Sequence, residues 1–329
     1  MHSPIPFSGA NGLVVSSVSY FTAPCIGLFF MVSGALLLPP PPYAGASSGR
    51  CAFSVREFVL KRLRHVLAPT LFWTAFYLFV KTCEGEYTIG ELVKNIFSIP
   101  FSAQGHGVLW FMYTLIGLYL ATPILVRWLR SATEKEVSCY LCLWFVSLCF
   151  PVLRLFLDVN ESATGTLYYF SGYIGYYVLG YWLLNYSSRI SLKLASMVMV
   201  IVCVAPIVVR VLRWEVDFYS LFWYLSVFVA AQCVFWWKLV CVCVPRFHIS
   251  RKFALRIALL SKLTFGIYLS HIFIMRDIVW RLPFVALIDI SLPQILITAF
   301  LTLALSVILT RILYSTSIGR VVIGCQKKK

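Results

Sequence analysis

Residues 13–38 read LVVSSVSYFTAPCIGLFFMVSGALLL, a stretch without a single charged side chain. A helix that crosses about 30 Å of hydrocarbon needs about 20 largely apolar residues at 1.5 Å each, so this stretch is long enough to span a membrane. Strands of a membrane barrel would instead show as alternating segments of about ten residues. The continuous run therefore predicts a transmembrane helix.

The same pattern recurs along the whole chain, separated by short polar connectors. No connector is long enough to hold a soluble domain, so residues 1–329 are predicted to form a single domain. The fold class that follows is all-α, a polytopic transmembrane bundle of about nine spans. The predicted spans are Leu13–Leu38, Val66–Val80, Val108–Val126, Ser138–Leu153, Leu167–Asn185, Leu194–Val209, Phe218–Trp237, Leu255–Met275 and Gln294–Leu313.

Composition and charge exclude a soluble protein and argue against nucleic acid as a partner. Hydrophobic residues make up 60% of the chain and charged residues only 12%, about half the charged fraction of a soluble domain. The net charge of +16 is concentrated on alternate connectors, whereas most acids lie on the others. This alternation is typical of the positive-inside rule, so the basic connectors and the C-terminus, with Lys327–Lys329, are predicted to be cytoplasmic and the partner is the lipid bilayer.

Three histidines are candidates for chemistry because polar groups at membrane depth are costly and usually functional. His2, His106 and His271 all fall toward the predicted non-cytoplasmic half, and Tyr268 shares a helix face with His271. A neutral imidazole near its unperturbed pKa suits general-base activation of a hydroxyl. For any one of them, a hydrogen-bonded structural anchor is the alternative interpretation.

The run Lys61-Arg62-Leu63-Arg64-His65 is a dense basic cluster immediately before the second predicted span. Its arginines could hold the phosphates of a cosubstrate, because a guanidinium binds phosphate oxygens in a bidentate manner. They could equally anchor the helix to anionic lipid headgroups. The eleven cysteines lie mostly in apolar spans and lack metal-ligand spacing, so no metal site is predicted.

Several motifs resemble the acyltransferase 3 family of bacterial membrane-bound O-acyltransferases, and they occur in that family's order. They are Phe29-Phe30-Met31-Val32-Ser33-Gly34, similar to FFxxSG; Phe58, Lys61-Arg62, Pro69 and Phe72-Trp73; His106, Leu109-Trp110-Phe111, Leu118-Tyr119 and Thr122-Pro123; and Thr264-Phe265-Gly266-Ile267-Tyr268-Leu269-Ser270-His271, close to TxGIYLxH. The likeness is strongest to stand-alone members associated with O-acetylation of surface polysaccharides.

The resemblance implies transfer of an acetyl group from cytosolic acetyl-CoA to a hydroxyl of a cell-surface or lipid-linked saccharide, in the bacterial inner membrane. It makes His2 the general base, or a proton shuttle, for the acceptor hydroxyl. The cosubstrate phosphates would be bound by Arg62, with Lys61 and Arg64 beside it. The residues implied to line the acceptor side and orient the thioester are His106, His271, Trp110 and Tyr268.

Two departures from the family pattern stand out. The family has ten spans and carries an Arg in its first span, ten residues before the position that His2 matches, whereas this sequence shows about nine spans and no such Arg. We hypothesise that the chain begins at an internal Met and lacks most of the first helix. His65 also occupies a position where relatives often keep an Arg.

Two alternatives remain open at the level of sequence. One is a multi-span transporter or flippase of a polar solute or glycolipid, although no internal duplication and no pair of broken helices is visible. The other is an inactive truncated homologue.

Overall fold

A computed structural model of the chain describes residues 9–39, 54–99, 101, 109–157, 165–186, 190–211, 218–288 and 290–325. All regular structure in these ranges is helical, which confirms the predicted all-α class. The α-helices are α1 Gly9–Thr22, α2 Pro24–Leu37, α3 Val55–Cys83, α4 Ile89–Ser98, α5 Trp110–Ser131, α6 Glu134–Ser147, α7 Phe150–Leu153, α8 Ile174–Asn185, α9 Leu192–Val211, α10 Phe218–Leu221, α11 Val227–Cys243, α12 Arg251–Phe273, α13 Pro283–Ala286, α14 Ser291–Ser315 and α15 Ser317–Val322. A π-helix, Ile274–Val279, follows α12 directly.

Eight helical segments among the described residues are long and apolar enough to cross a membrane, and each overlaps a predicted span. They are Gly12–Leu37, Val55–Cys83, Trp110–Ser131, Glu134–Leu153, Leu192–Val209, Val227–Arg246, Arg251–Val279 and Ser291–Ser315. The predicted span Leu167–Asn185 differs, because α8 holds only 12 residues, about 18 Å at 1.5 Å per residue. Gly172 at φ 94° interrupts the apolar run, after a short 3-10 helix at Tyr168–Phe170.

Helix starts follow local sequence signals. Ser54 caps α3 by accepting a hydrogen bond from the Glu57 N–H, at 3.3 Å. Thr88 begins α4 with a capping box in which its backbone N–H and hydroxyl both donate to the Glu91 carboxylate. These hydrogen bonds, the backbone one first, lower the pKa of Glu91. Short-range chemistry therefore sets where these helices begin.

The described residues form two compact units, the first of which contains residues 9–39, 121–157, 165–186, 190–211 and 218–248. Helix α8 lies inside this unit, with Tyr176, Tyr177 and Tyr181 almost fully buried. A helix that is apolar on every side is expected to be enclosed by others in this way. Trp144 of α6 donates from its indole to the Gly172 carbonyl at 2.9 Å, and the Tyr176 hydroxyl donates to the Tyr224 carbonyl at 2.6 Å.

Two glycines let the backbones of α2 and α8 touch. A Cβ on Gly34 would lie 1.8 Å from the Tyr177 carbonyl oxygen, and one on Gly180 would lie 1.9 Å from the Met31 carbonyl oxygen. Small residues at crossings are the usual means by which membrane helices approach closely. Gly34, the last residue of the FFxxSG-like motif, therefore has a packing role.

The second unit contains residues 54–99, 101, 109–120, 249–288 and 290–325. Its α3 is longer than the predicted span Val66–Val80 and continues through Pro69, so the basic cluster lies on the helix itself and not on a connector. Pro69 has no N–H for the His65 carbonyl, and Gly324, just after α15, approaches that carbonyl closely. The turn at Gly324 has φ 69° and is closed by Cys325 N–H to Arg320 O at 2.8 Å and by Gly324 N–H to Val321 O at 3.1 Å, as in a Schellman motif.

Gly34→Ala is expected to destabilise the protein, because the new methyl group would have to displace the backbone of α8. Overpacking of this kind costs about 1–3 kcal/mol or more. Thermal unfolding of the purified protein in detergent measures the effect. The matched control is Gly117→Ala on α5, where a Cβ meets nothing within 4 Å and a helical alanine should stabilise by about 0.5–1 kcal/mol. Equal shifts for the two variants would contradict this packing role.

Candidate functional site

Six of the eight predicted site residues lie within the second unit. Lys61, Arg62 and Arg64 are on α3, Trp110 begins α5, and Tyr268 and His271 are near the end of α12. His2 and His106 fall outside the described residues. The site is therefore built from α3, the first half of α5, and α12 with its π-helical extension.

The three residues predicted to bind phosphate, Lys61, Arg62 and Arg64, lie in the first half of α3, and of these three only Arg62 turns inward. Lys61 and Arg64 are exposed, whereas Arg62 is half-buried. Its guanidinium carbon lies 5.9 Å from the centre of the Phe58 ring, and the group acts electrostatically on the Tyr119 hydroxyl of α5. Arg62 is thus the member of the cluster that reaches toward the interior of the unit.

Hydroxyl groups follow one another along α3 beyond this point. The buried Thr74 donates to the Thr70 carbonyl at 2.7 Å, and its hydroxyl lies 3.3 Å from that of Tyr113 on α5. Sequence reasoning did not select these side chains. In the sequence, these side chains differ from their neighbours only in being polar within an apolar run. This difference is a weak indication of function, because threonine and tyrosine are both common in apolar helices.

The predicted substrate residues lie in an aromatic cluster. The rings of Tyr268 and Phe111 meet edge to face, with centroids 5.3 Å apart, and the Tyr268 ring lies 5.4 Å from the His271 imidazole. Trp110 joins the cluster through Phe111, and the centroids of the Trp110 and Phe111 rings are 6.3 Å apart. The buried Phe111 therefore provides a contact to Tyr268 that sequence analysis did not assign.

His271 is half-buried, and its orientation is set by its own helix. Its Nδ1 lies 2.5 Å from the Tyr268 carbonyl oxygen. Because a carbonyl only accepts hydrogen bonds, this contact requires a proton on Nδ1. In a neutral imidazole the lone pair is then on Nε2, which is the arrangement a general base needs.

Tyr77 of α3 holds the turn of α12 that carries His271. The Tyr77 hydroxyl donates to the Leu269 carbonyl at 2.8 Å and accepts from the Phe273 N–H at 3.2 Å. These two backbone groups are four residues apart and would bond to each other in an uninterrupted α-helix. The hydroxyl thus bridges two backbone groups of α12 immediately before the helix widens to its π form, a feature frequent at functional sites.

Charged side chains collect at the opposite end of the unit from Arg62, where α3 ends and the π-helix continues α12. The Arg281 guanidinium binds the carboxylates of Glu84 and Asp277, the latter at 3.2 Å. Lys81 pairs with Glu86 at 2.7 Å. These residues line a cavity of about 300 Å³ together with Tyr77, Val80, Ile272, Arg276 and Trp280.

No group of three or more His, Cys, Asp or Glu side chains among the described residues is arranged to hold a metal ion. Cys139 and Cys142, the CxxC pair of the sequence, are both exposed on α6.

Comparison with known proteins assigns the chain at the level of a family. The family model of acyltransferase 3, described as an acyltransferase domain, matches residues 1–311 of the 329. No curated protein and no solved structure matches the chain.

Tyr77→Phe removes both hydrogen bonds that the Tyr77 hydroxyl makes to the backbone of α12. We expect a loss of about 1–3 kcal/mol in unfolding free energy, measured by thermal or denaturant unfolding in detergent micelles. Tyr169→Phe is the control, because its ring is 79% exposed and should be neutral. A Tyr77→Phe protein as stable as the control variant would show that the inserted hydroxyl does not hold α12.

Proposed function

Since this chain belongs to the acyltransferase 3 family, whose model covers residues of both compact units, we propose that it transfers an acetyl group from acetyl-CoA to a hydroxyl of a cell-surface or lipid-linked saccharide. The family and the membrane-spanning helices make it a multi-pass membrane acyltransferase. The acetyl donor, the saccharide acceptor and the direction of transfer are the proposed part. We further propose that both units belong to one acyltransferase domain.

The observation that carries the proposal is the order of groups along the second unit. Arg62 lies near one end and Tyr77, which holds the His271 turn, lies fifteen residues further along α3, about 22 Å at 1.5 Å per residue. CoA carries its phosphates and its thioester at opposite ends of a long flexible arm. Arg62 could bind the phosphates of CoA, and His271 could accept a proton near its thioester. Their separation along the second unit therefore suits acetyl-CoA as the acyl donor.

Arg62 is proposed to bind the CoA phosphates, since it is half-buried whereas Lys61 and Arg64 are exposed. A partly desolvated guanidinium forms stronger hydrogen bonds to phosphate than an exposed one. Lys61 and Arg64, both exposed, would add to the positive potential around the entrance.

His271 is proposed to act as the general base. Its Nε2 would take the proton of the acceptor hydroxyl as that oxygen attacks the thioester carbonyl carbon. When the tetrahedral intermediate collapses, the carbon–sulfur bond breaks and the proton passes from Nε2 to the departing CoA sulfur, which leaves as the thiol. The contact between Nδ1 and the Tyr268 carbonyl supports this role, because it keeps the lone pair on Nε2.

The family resemblance gives the role of general base to His2, and this assignment remains a proposal. His106 is likewise proposed to lie on the acceptor side. Trp110 and Tyr268 are proposed to bind the acceptor or orient the thioester, as part of the aromatic cluster around Phe111. A saccharide ring packs well on aromatic side chains because its C–H faces are apolar.

We propose that the Arg62 end faces the cytoplasm of a bacterium and that the protein lies in the inner membrane. The distribution of charge in the second unit supports this orientation. The Arg62 end holds a large basic excess on α3, α12, α14 and α15, comprising Arg56, Lys61, Arg62, Arg64, Arg251, Lys252, Arg256, Lys262, Arg311 and Arg320 against Glu57. By the positive-inside rule, the donor would enter from the cytosol and the acceptor from the other side.

His271→Ala is expected to lower saccharide acetylation by about 100-fold or more, the usual contribution of a general base. The chain is expressed in a bacterial host that lacks its own enzyme of this kind, and base-labile acetyl groups on the surface polysaccharide are quantified. His248→Ala is the control, because this histidine is exposed and lies in the first unit.

The outcomes of that experiment separate the candidates for the base. Normal acetylation by His271→Ala, together with a loss in His2→Ala, would move the role to His2. The absence of acetylation by the unaltered chain, folded in the membrane of a host that makes the acceptor, would contradict the proposed function as a whole.

Arg62→Gln is expected to raise KM for acetyl-CoA by about tenfold, the usual cost of one charge-assisted hydrogen bond, with kcat nearly unchanged. The reason is that the phosphates are bound alike in the ground and transition states. Initial rates at varied acetyl-CoA concentration measure the split. Arg256→Gln is the control, because Arg256 is exposed on α12. An equal rise in KM for both variants would indicate a general electrostatic effect and not a phosphate site.

A further inference from the structure

The charged cavity at the end of α3 has a formal charge of zero. Its lining includes three cationic side chains, Lys81, Arg276 and Arg281, and the three carboxylates of Glu84, Glu86 and Asp277. At about 300 Å³ it is comparable to small-molecule sites, which begin at about 300 Å³. A balanced cavity of this kind gives no net attraction to an anion or a cation, so selection within it depends on directed hydrogen bonds.

Two hydrogen-bond donors of the lining have no partner within the described part of the chain. The Trp280 Nε1 is buried and bonds to none of these residues. The Arg276 guanidinium lines the same cavity, is exposed and acts electrostatically on the neighbouring Asp277, but it forms no ion pair with a described residue. The buried Trp280 donor costs about 1–3 kcal/mol while it lacks a partner, and the exposed Arg276 guanidinium is open to an acceptor oxygen of a ligand.

The carboxylates of the cavity provide hydrogen-bond acceptors to complement these donors. Arg281 binds Oδ1 of Asp277 and Oε1 of Glu84, and these two carboxyl groups also lie within hydrogen-bonding reach of each other. Together with Glu86, they supply the acceptor oxygens of the cavity. A ligand that fits must therefore both accept and donate hydrogen bonds. Hydroxyl groups do both, whereas a phosphate or a carboxylate only accepts and would add a negative charge beside three carboxylates.

From these contacts we infer that the cavity is a subsite for a neutral, hydroxyl-rich sugar residue of the acceptor. This inference rests on the proposed function and adds a binding site to it. Ile272 lines the cavity, whereas His271 does not. From His271 to Arg276 the helix advances about 7 Å at 1.5 Å per residue. The cavity therefore holds the sugar residue next to the one whose hydroxyl reacts.

Binding of saccharides to the purified full chain in detergent micelles tests the inference without requiring transfer. Saturation-transfer NMR is applied to four neutral disaccharides, cellobiose, lactose, maltose and gentiobiose, and to cellobiouronic acid, in which one sugar carries a carboxylate. We expect at least one neutral disaccharide to bind and cellobiouronic acid to bind more weakly than cellobiose.

Substitutions then locate the site. Trp280→Phe and Arg276→Gln should each weaken neutral disaccharide binding by about fivefold or more, since the first removes a donor and the second removes the charged fork of guanidinium N–H groups. Asp277→Asn, which keeps the shape of the side chain, should also weaken it. Arg256→Gln, at the distant start of α12, should leave binding unchanged. Thermal unfolding identifies any variant that loses binding because it loses its fold.

His271→Ala separates this inference from the proposed function. Retained disaccharide binding with lost acetylation supports both. Undiminished binding in both Trp280→Phe and Arg276→Gln overturns the subsite even where transfer occurs, as does tighter binding of cellobiouronic acid than of cellobiose. Failure of all four neutral disaccharides to bind also overturns it. Binding only to vesicles of phosphatidylglycerol would assign the cavity to a lipid headgroup instead.

Discussion

Inside hydrocarbon, every backbone N–H and C=O must find its partner within the protein, since water is not there to provide one. Helices meet this requirement automatically, and in the second unit a side chain adds to it just before α12 widens into the π-helix Ile274–Val279. The Tyr77 hydroxyl donates to the Leu269 carbonyl and accepts from the Phe273 N–H. His271 sits between these two residues, and the wider turn that follows sets the directions in which Arg276, Asp277 and Trp280 leave the helix.

The motif residues divide into those that bring helices together and those that carry chemistry. Gly34 ends the FFxxSG-like motif and serves the contact of α2 with α8. Gly266, in the motif that ends at His271, packs against Thr310 of α14 and Ile323, which follows α15. Two residues further on, Tyr268 turns to Phe111, and its carbonyl orients the imidazole. The segment from Gly266 to His271 thus packs against α14 on one side of α12, and on another side it directs Tyr268 and His271 toward the candidate site. This is possible because residues two apart point in different directions on a helix.

Hydropathy and charge were sufficient to predict the helical class, and eight of the predicted spans overlap helices long enough to cross a membrane. The start of α8 was not predictable in this way, since the apolar run begins before Gly172 and the backbone conformation at that glycine precedes the first helical residue, Ile174. Within the basic cluster, the family resemblance pointed to Arg62, but the spacing of the residues gave no physical reason to prefer it to Lys61 or Arg64. The choice depends on Phe58 and on Tyr119, which belongs to another helix. The contact of Arg281 with Glu84 joins two distant connectors, and their charges look like ordinary solvated residues in the sequence.

The crossing of α2 and α8 also bears on how the chain is assembled. Helix α2 leaves the ribosome early, whereas Gly180 and Tyr177 are synthesised only after α3 to α7. Until then the backbone that the groove at Gly34 accommodates does not yet exist. The contact of α2 with α8, and with it the packing of the first unit, can therefore form only late in synthesis.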